Sequence, residues 1–293
     1  MASLKEIRRR ITSTKSTRQI TSAMKMVAAA KLKRAQDAII QIRPYALRLH
    51  DMIGQVSATV DDQEISPLTV NREPNKVLLV IISANRGLCG GFNANVVKRV
   101  IEEATVRYSP QRAKGNLHLL FIGKKGAEIL KTKGFGKWPQ QNELVEKASL
   151  SRSNELAEQL IEWFIKGEYD RIDIIYNQFR NAANQAVTTE QFLPVKPVDS
   201  DRKNQKQPDF IFEPGLESLV TKLIPEALKI QLYKSLLDSL ASQFGAQMTA
   251  MHQATDNATE MIRDLTLEYN RVRQATITSE LIEIVSGAEA LKS

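Results

Sequence analysis

Apolar and small side chains recur at alternating steps of three and four residues through the amino-terminal part of the chain. This spacing is the seam of a two-stranded coiled coil, and it predicts one long helix from Ser3 to Ser57. The alternation breaks through Thr14 and Arg18, and Pro44 is expected to bend the helix without ending it. The predicted seam positions are Leu4, Ile7, Ile11, Ile20, Met24, Val27, Ala28, Leu32, Ala35, Ile39, Ile42, Ala46, Leu49, Ile53 and Val56.

A second seam of the same kind runs through the carboxyl-terminal part. Pro225 suits the first turn of a helix and Gly287 suits the position after the last turn, so this helix is predicted from Pro225 to Ser286. Each helix alone would expose its apolar stripe to water, so we expect the two ends to pair antiparallel. The predicted seam positions are Leu237, Leu240, Phe244, Met248, Met251, Ala254, Ala258, Met261, Leu265, Tyr269 and Val272.

Between the two ends the pattern changes to short apolar runs separated by polar or glycine-rich turns. Strands that alternate with helices favour a largely parallel, Rossmann-like sheet. The last strand alternates apolar and polar residues and is expected to be an edge strand with one face in water. The predicted strands are 77–82, 117–122, 172–177 and 186–195, and the predicted helices are 94–107, 124–132 and 154–165.

The predicted fold class is therefore α/β, with a long antiparallel coiled coil of the two terminal helices and a central Rossmann-like domain. Three parts follow from the change of period along the chain. They are an amino-terminal helix at 1–58, an α/β domain at 75–198 and a carboxyl-terminal helix at 210–293, with a polar loop at 199–207.

The charge of the chain is unevenly distributed. Residues 1–50 hold 12 Lys and Arg against 2 acidic residues, and the other 243 hold 29 against 31, so the net charge of +8 belongs to the first helix. Such a helix suits either nucleic acid phosphates or an acidic protein surface. No aromatic side chain that could stack on a base precedes Tyr45, and both alternatives stay open at this point.

Composition also limits where in the cell the chain can be located. The longest apolar run, Val77–Ile82, is far too short to span a membrane, so no membrane insertion is expected. The basic, acid-poor amino terminus resembles a mitochondrial transit peptide, but the helical pattern that continues past residue 50 counts against a removable leader. The single Cys89 excludes an internal disulfide and fits a reducing compartment.

The glycine-rich segment 83–95 is the main candidate for chemistry. It follows a strand and opens a helix, where α/β folds often bind phosphate, but it has neither P-loop nor G-x-G-x-x-G spacing. We favour a turn that needs positive φ angles over a nucleotide site. His50, His118 and His252 are isolated, and Glu280 and Glu283 suit a solvated helix face better than an acid–base pair. No catalytic residue, metal or cofactor is therefore expected.

Three stretches are similar to the gamma subunit family of F-type ATP synthases, and the chain resembles a bacterial member. They are STRQITSAMKMVAAAKLKRAQ at 16–36, SANRGLCGGFNAN at 83–95 and ITSELIEIVSGA at 277–288. The resemblance implies a rotor shaft without chemistry of its own, which couples proton flow to ATP synthesis or hydrolysis. It implies no thiol regulation, since the chain lacks the cysteine pair of the plant form.

The same resemblance implies partners and contact residues. The partners would be three alpha and three beta subunits around one copy, the epsilon subunit and the membrane rotor ring, with no nucleic acid. Met24 and Lys25 would lie near an acidic loop of the beta subunit, and Arg273, Gln274 and Thr278 would hydrogen-bond with beta. The tip beyond Ile277 would enter an apolar sleeve. The chain would lie on the cytoplasmic face of the bacterial inner membrane as a peripheral protein.

Overall fold

Two long helices and a small sheet make up the computed structural model. It describes residues 3–59, 67–146, 148–182, 184–195 and 216–290, without the side chains of 50, 51, 53–59, 146, 216–220, 289 and 290. Helix α1 spans Leu4–Thr59 and helix α7 spans Leu216–Ala290. The predicted first helix is confirmed, and α1 continues through Pro44. The predicted loop at 199–207 lies outside the described residues.

The predicted ends of the second helix are wrong. Helix α7 begins at Leu216, so Pro225 lies inside it, and it continues past Gly287. Ile224 is buried and Leu223 packs against the same apolar cluster, so burial favours a helix that extends upstream of the proline. Glycine lowers helix stability by only about 1 kcal/mol, which is too little to end a long helix by itself.

Contacts divide the chain into two compact units. Unit 1 comprises residues 1–28 and 248–293, and unit 2 comprises residues 29–247. Both long helices contribute to both units. The division into parts 1–58, 75–198 and 210–293 stays a prediction.

Unit 2 contains a four-stranded sheet in the order β2-β1-β3-β4. The strands are β1 Val77–Ile82, β2 Leu117–Ile122, β3 Arg171–Phe179 and β4 Gln185–Leu193. The first three are parallel, and β4 runs antiparallel to β3. Every residue of β1 is buried, which explains its uninterrupted apolar sequence. The prediction of a largely parallel, Rossmann-like sheet is confirmed.

The prediction that one face of β4 lies in water is wrong, because most residues on both faces of this strand are half-buried. On one face Gln231 of α7 donates to the Glu190 carboxylate at 3.0 Å. On the other, Thr189 donates to the Glu103 carboxylate at 2.9 Å. Polar side chains on both faces of this edge strand are therefore held by the helices that cover them.

Shorter helices complete unit 2. The predicted helix at 94–107 is correct only in its first part, because its last five residues, Glu103–Arg107, form a π-helical turn. The turn sets Glu103 in a buried position with Arg99 at 3.1 Å and Arg107 at 3.6 Å. The helices are α2 Phe92–Glu102, α3 Ser109–Ala113, α4 Lys124–Thr132, α5 Glu143–Glu146 and α6 Leu150–Ile165.

Two apolar cores flank the sheet. Leu160 and Phe164 of α6 and Leu232 and Leu236 of α7 pack on one face. Helices α2 and α4 cover the other face, with Val96 as one of the fully buried side chains. The result is a three-layer α/β arrangement in which α7 belongs to the core along its unit 2 part.

Candidate functional site

The helices of unit 1 pair antiparallel, and two contacts fix their register. The Thr255 and Thr21 hydroxyls are hydrogen-bonded to each other at 2.8 Å, and the Thr14 hydroxyl lies 3.8 Å from the Met261 sulfur. The residue numbers of each pair add up to about 276, so Leu4 at the start of α1 lies opposite about Val272. The expected antiparallel pairing is thereby confirmed for this unit.

The seam of α1 in unit 1 does not break. Positions with buried or half-buried side chains continue at steps of three and four through threonine, arginine and lysine. The predicted seam residues Ile20 and Val27 instead face outward, with 60% and 56% of their surface exposed. The observed seam is Leu4, Ile7, Ile11, Thr14, Arg18, Thr21, Lys25 and Ala28.

Helix α7 contributes a matching seam. Met261 was predicted to lie in it, but half of that side chain is exposed and Ile262 is half-buried in its place. The polar members are tolerated because their hydroxyls are hydrogen-bonded: Thr255 also donates to the Met251 carbonyl at 2.7 Å. The observed seam is Met251, Thr255, Ala258, Ile262, Leu265, Tyr269, Val272 and Thr276.

Apolar side chains that the seam does not use lie on the outside of unit 1. Ile20, Met26 and Val27 form an exposed group on α1. Beyond Thr276, every described side chain of α7 is exposed as far as residue 288. In this segment, the tip, there is no α1 residue opposite, because α1 begins near the level of Val272. The exposed apolar residues of the tip are Ile277, Leu281, Ile282, Ile284 and Val285.

These two apolar surfaces are the candidate contact site. Contiguous exposed apolar residues on a soluble protein mark an interaction surface. Sequence reasoning missed this group because it assigned Ile20 and Val27 to the seam and gave Met26 no role. Continuing the three-four alternation from Ile11 to Ala28 regardless of polarity would have placed Ile20 and Val27 outside.

Positive charge surrounds the α1 part of this site. Arg18 and Lys25 are half-buried in the seam, and the other basic residues of α1 in this unit are exposed. Within the described residues of unit 1, no Lys or Arg forms an ion pair, and His252 Nδ1 lies 3.2 Å from the Asp256 carboxylate. The exposed basic residues are Lys5, Arg8, Arg9, Arg10 and Lys15. Their charges are available to an acidic partner.

The residues expected to touch a beta subunit lie at two separate positions. Met24 and Lys25 are half-buried on α1, whereas Arg273, Gln274 and Thr278 are exposed on α7. The Thr278 hydroxyl donates to the Gln274 carbonyl of its own helix at 2.9 Å. By the helix register, the two groups are about 30 Å apart along the pair, at about 1.5 Å per residue. They are therefore not parts of one local site.

The glycine-rich loop of unit 2 is a packing turn. Leu88 and Gly90 have positive φ angles of 64° and 56°. The Ala84 N–H donates to the Asn93 side-chain oxygen at 2.9 Å, and the Asn93 amide donates to the Cys89 sulfur at 3.2 Å. Cys89 is buried against Phe92 and packs with Ala246 of α7. The loop thus fixes α2 and α7, which supports the turn interpretation.

Other candidates for chemistry have structural partners. His118 shares a 2.9 Å hydrogen bond with the Tyr169 hydroxyl, and His252 pairs with Asp256. The side chain of His50 lies outside the described part. No group of three or more His, Cys, Asp or Glu side chains among the described residues could hold a metal ion. None of the described helices is long and apolar enough to cross a membrane.

Comparison with known proteins decides the family. The family profile described as ATP synthase matches residues 3–291. The ATP synthase gamma chain of Flavobacterium psychrophilum is 52% identical over 292 residues, covering 100% of both chains. This chain belongs to the ATP synthase gamma-chain family. The gamma chain of Geotalea daltonii is 44% identical over 300 residues, again with 100% of both chains covered.

Solved structures agree with the gamma-chain assignment. A chain in the central stalk and c-ring structure of the Tetrahymena thermophila mitochondrial ATP synthase is 26% identical, with a TM-score of 0.60. The match covers 80% of this chain and 99% of that one. A chain from the Euglena gracilis mitochondrial enzyme, 22% identical with a TM-score of 0.66, covers 98% and 94% and has the same fold. The family resemblance of the three sequence stretches is confirmed, and gamma chains are non-catalytic subunits of the enzyme.

Proposed function

We propose that this chain is the central rotor shaft of a proton-translocating ATP synthase. It couples proton flow through a membrane ring to the conformational cycle of three catalytic beta subunits, and it performs no chemistry itself. The observation that carries this proposal is the apolar tip of α7, Ile277 to Val285, which no α1 residue covers. A helix end of this kind needs an apolar surface around it in the working assembly.

The proposed partners are three alpha and three beta subunits around one copy, together with an epsilon subunit and the membrane ring. The structural relatives come from assemblies described as central stalk with c-ring and as OSCP, F1 and c-ring, which supports this arrangement. We also propose a peripheral position on the cytoplasmic face of a bacterial inner membrane, a proposal that draws on the bacterial source of the gamma-chain relatives. A single asymmetric copy can make three identical sites differ, because each site meets a different side of it.

The surface chemistry of unit 1 suits rotation. Exposed Thr and Ser side chains donate their hydrogen bonds to carbonyls of their own helix, such as Thr17 to Ser13 at 3.1 Å and Thr266 to Ile262 at 2.6 Å. These donors are therefore not available for fixed bonds to a neighbour. Outside the proposed contacts of Arg273, Gln274 and Thr278, contact then depends on apolar surface and on long-range charge, which vary smoothly as the surface turns.

Reconstitution with alpha and beta subunits tests the function. The exposed Lys98→Cys carries a bead, because the native Cys89 is buried and resists labelling. We expect ATP hydrolysis to turn the bead in one direction, and withdrawal of ATP to leave it with Brownian motion alone. A stable complex in which the bead shows only Brownian motion during hydrolysis would contradict the shaft function.

The contact residues need a separate test. We propose that Met24 and Lys25 face an acidic loop of beta and that Arg273, Gln274 and Thr278 hydrogen-bond with beta. Met24→Lys adds a charge at the first position and should lower proton pumping per ATP more than it lowers assembly. Ala23→Lys, which adds the same charge at an exposed neighbouring position outside the candidate contact site, is the control. Equal pumping by both variants and the native chain would refute the proposed role of Met24.

The exposed basic face of α1 also favours a second candidate, nucleic acid binding. That function predicts affinity for duplex DNA that falls steeply with salt, in proportion to the phosphates neutralised. The shaft function predicts that alpha and beta subunits displace any such DNA. Titration of the full chain with DNA, in the presence and absence of those subunits, separates the two functions.

A further inference from the structure

Two aromatic residues lie at the surface of unit 2, in the loop that follows α4. The loop 134–138 has the sequence GFGKW, and both of its glycines have positive φ angles, 83° and 80°. Phe135 and Trp138 are half-buried, because each packs on the apolar core that includes Leu119. Each residue therefore keeps part of its surface in contact with solvent.

The two rings are held in place. The Trp138 indole N–H donates to the Phe135 carbonyl at 2.7 Å, and the Arg112 guanidinium lies 4.2 Å from the centre of the Phe135 ring. The groove beside them has a volume of about 210 Å³. Ligand pockets begin at about 300 Å³, so this groove is too small to enclose a cofactor. The exposed parts of the rings suit contact with a larger surface.

The charge of this region is strongly unbalanced. Residues 110–141 contain seven Lys and Arg but only one acidic residue, Glu128. Glu128 is held by Lys125 at 2.6 Å and by Lys124 at 3.7 Å. The other five basic residues are exposed and form no ion pair within the described part of the chain. They are Arg112, Lys114, Lys131, Lys133 and Lys137.

These five residues and the two rings form one surface, which we call the basic patch. Lys114, Lys133 and Lys137 each adjoin in sequence a residue that lines the groove. Lys131 is tied to the same loop, since the Gly134 N–H donates to its carbonyl at 3.1 Å. Positive charge thus surrounds the aromatic rings.

The residue types of the basic patch favour an anionic membrane over an acidic protein. Four of its five basic residues are lysines, which act as mobile point charges, whereas protein–protein interfaces are depleted in Lys and enriched in Arg. A half-exposed tryptophan among lysines is typical of the boundary between the headgroups and the apolar part of a bilayer. A cluster of four to eight basic residues is also typical of contact with anionic lipids.

We propose that the basic patch of unit 2 contacts the headgroup layer of an anionic membrane. The lysines would attract the lipid phosphates, and the rings of Phe135 and Trp138 would lie between the headgroups without spanning the bilayer. The inference does not depend on the rotor function, because lipid vesicles test it on the full-length chain without other subunits.

The two tryptophans of the chain, Trp138 and Trp163, provide a local test. Trp163 packs on the core at the opposite face of the sheet, so only Trp138 should meet lipid. Trp163→Phe leaves Trp138 as the reporter, and Trp138→Phe leaves Trp163 as the matched control. The probe is a vesicle of phosphatidylglycerol and phosphatidylcholine in equal parts, brominated near the headgroup. We expect quenching of Trp138 fluorescence alone, and no quenching, or equal quenching of both, would overturn the proposal.

A charge variant tests the role of the lysines. Lys131→Gln, Lys133→Gln and Lys137→Gln together should weaken binding through the basic patch about hundredfold, because each lysine near an anionic surface contributes about a fivefold factor. Quenching of Trp138 should disappear with this variant, and also with vesicles of phosphatidylcholine alone. Quenching that persists in the variant would contradict the proposed contact.

The basic face of α1 needs a control, because it could also bind anionic vesicles. Lys5→Gln, Lys15→Gln and Lys33→Gln together remove the same charge from exposed positions of α1 and should keep the quenching of Trp138. If this control loses the quenching as fully as the patch variant does, the patch is not the site that holds the membrane.

An acidic protein is the alternative partner, and poly-glutamate represents it. Vesicles should shift the Trp138 emission to shorter wavelength, whereas poly-glutamate should not, since it offers the same charge without an apolar phase. Binding of poly-glutamate as tight as that of vesicles, with no quenching of Trp138 by brominated lipid, would identify a site for an acidic protein and overturn the membrane contact.

Discussion

The same two helices are built differently in the two units. In unit 2, residues 235–242 of α7 are all buried, and polar members such as Ser242 bond to the sheet, with its hydroxyl 3.0 Å from the Asn177 carbonyl. In unit 1, from Ala258 to Thr276, only every third or fourth residue of α7 is covered. The seam there includes Thr21 and Lys25, whereas Ile20, Met26 and Val27 face outward.

This difference shows that burial inside the chain and apolar character are separate properties of a helix position. In unit 2 they coincide, because the helix must complete a core by itself. In unit 1 they are partly exchanged, with hydrogen-bonded polar groups inside and apolar groups outside. Such an exchange lowers the stability of the isolated pair and leaves apolar surface for a partner.

The largest expected effect compares a core leucine in each unit. Leu236→Ala, in the fully buried part of α7, should lower the free energy of unfolding by about 3 kcal/mol. Leu265→Ala in the unit 1 seam should lower it by about half as much, since one helix instead of a sheet and helices surrounds that side chain. Urea denaturation measures both. Leu267→Ala, at a position that is 62% exposed, is the control, and a larger cost for Leu265→Ala would invalidate the comparison.

A second effect depends on pH. Burial raises the pKa of Asp238 to about 6 from an ordinary value of 3.8, Glu190 adds to the rise, and Lys234 and Arg43 oppose it. Because the folded state holds this proton more tightly, stability falls as pH rises from about 4 to about 6 and stays lower above that range. Asp238→Asn should remove this loss, which amounts to about 3 kcal/mol over the whole range.

Urea midpoints at pH 5 and pH 7.5 check the sign of that effect. The native chain should lose more stability between the two values than Asp238→Asn does. Asp264→Asn, at an exposed position of the same helix with no ion pair among the described residues, is the control and should keep the native pH dependence. If Asp238→Asn keeps it as well, the carboxyl of Asp238 is not the group responsible.

A smaller effect concerns the polar seam. Thr21→Val together with Thr255→Val replaces a buried hydroxyl pair by apolar groups of the same shape and should stabilise unit 1 by about 1 kcal/mol. Each single variant should be neutral or destabilising, because it leaves one hydroxyl without the other. Thermal unfolding followed by circular dichroism measures the change. Exposed Thr17→Val with Thr266→Val is the control pair, and an equal gain there would refute a seam effect.

The smallest expected effect is a change in the rate at which the Cys89 thiol reacts. Burial raises the pKa of the Cys89 thiol, although contacts with Asn93 and its own backbone oppose the rise. A buried, protonated thiol reacts slowly, so Cys89 should react with a disulfide reagent at pH 8 far more slowly than in urea. Phe92→Ala opens the packing around it and should accelerate the reaction. Equal rates in the native and unfolded chain would show that the glycine-rich loop is open.

The predictable parts of the fold are those in which local pattern and burial agree. The apolar run of β1, and that of β2 with His118 as its one polar member, predicted the full bounds of both strands, since both strands are largely buried. The π-helical turn could not be predicted from local pattern. It places Glu103 in an ion pair with Arg99 and in a hydrogen bond with Thr189, which lies on the distant strand β4. For the same reason the start of α7 was missed, since residues around Ile224 are helical through their contact with the core.

The candidate site was predictable only in part. The resemblance of residues 277–288 to a known family indicated an apolar environment for the tip, and the exposed side chains there agree with it. The outward group of Ile20, Met26 and Val27 was missed because the seam was sought by polarity. A polar seam becomes visible only when hydrogen bonds such as that between Thr21 and Thr255 are known.

The bare tip of α7 has a consequence for how the cell must make this chain. Until its partners are present, Leu281, Ile282 and Ile284 are exposed to water and to other copies of the same helix. Self-association is then a concentration-dependent competitor of assembly. Synthesis of this subunit in excess of the others should therefore produce inclusion bodies, and matched synthesis should suppress them. Because of the tip, the solubility of this subunit depends on how much of its partners the cell synthesises at the same time.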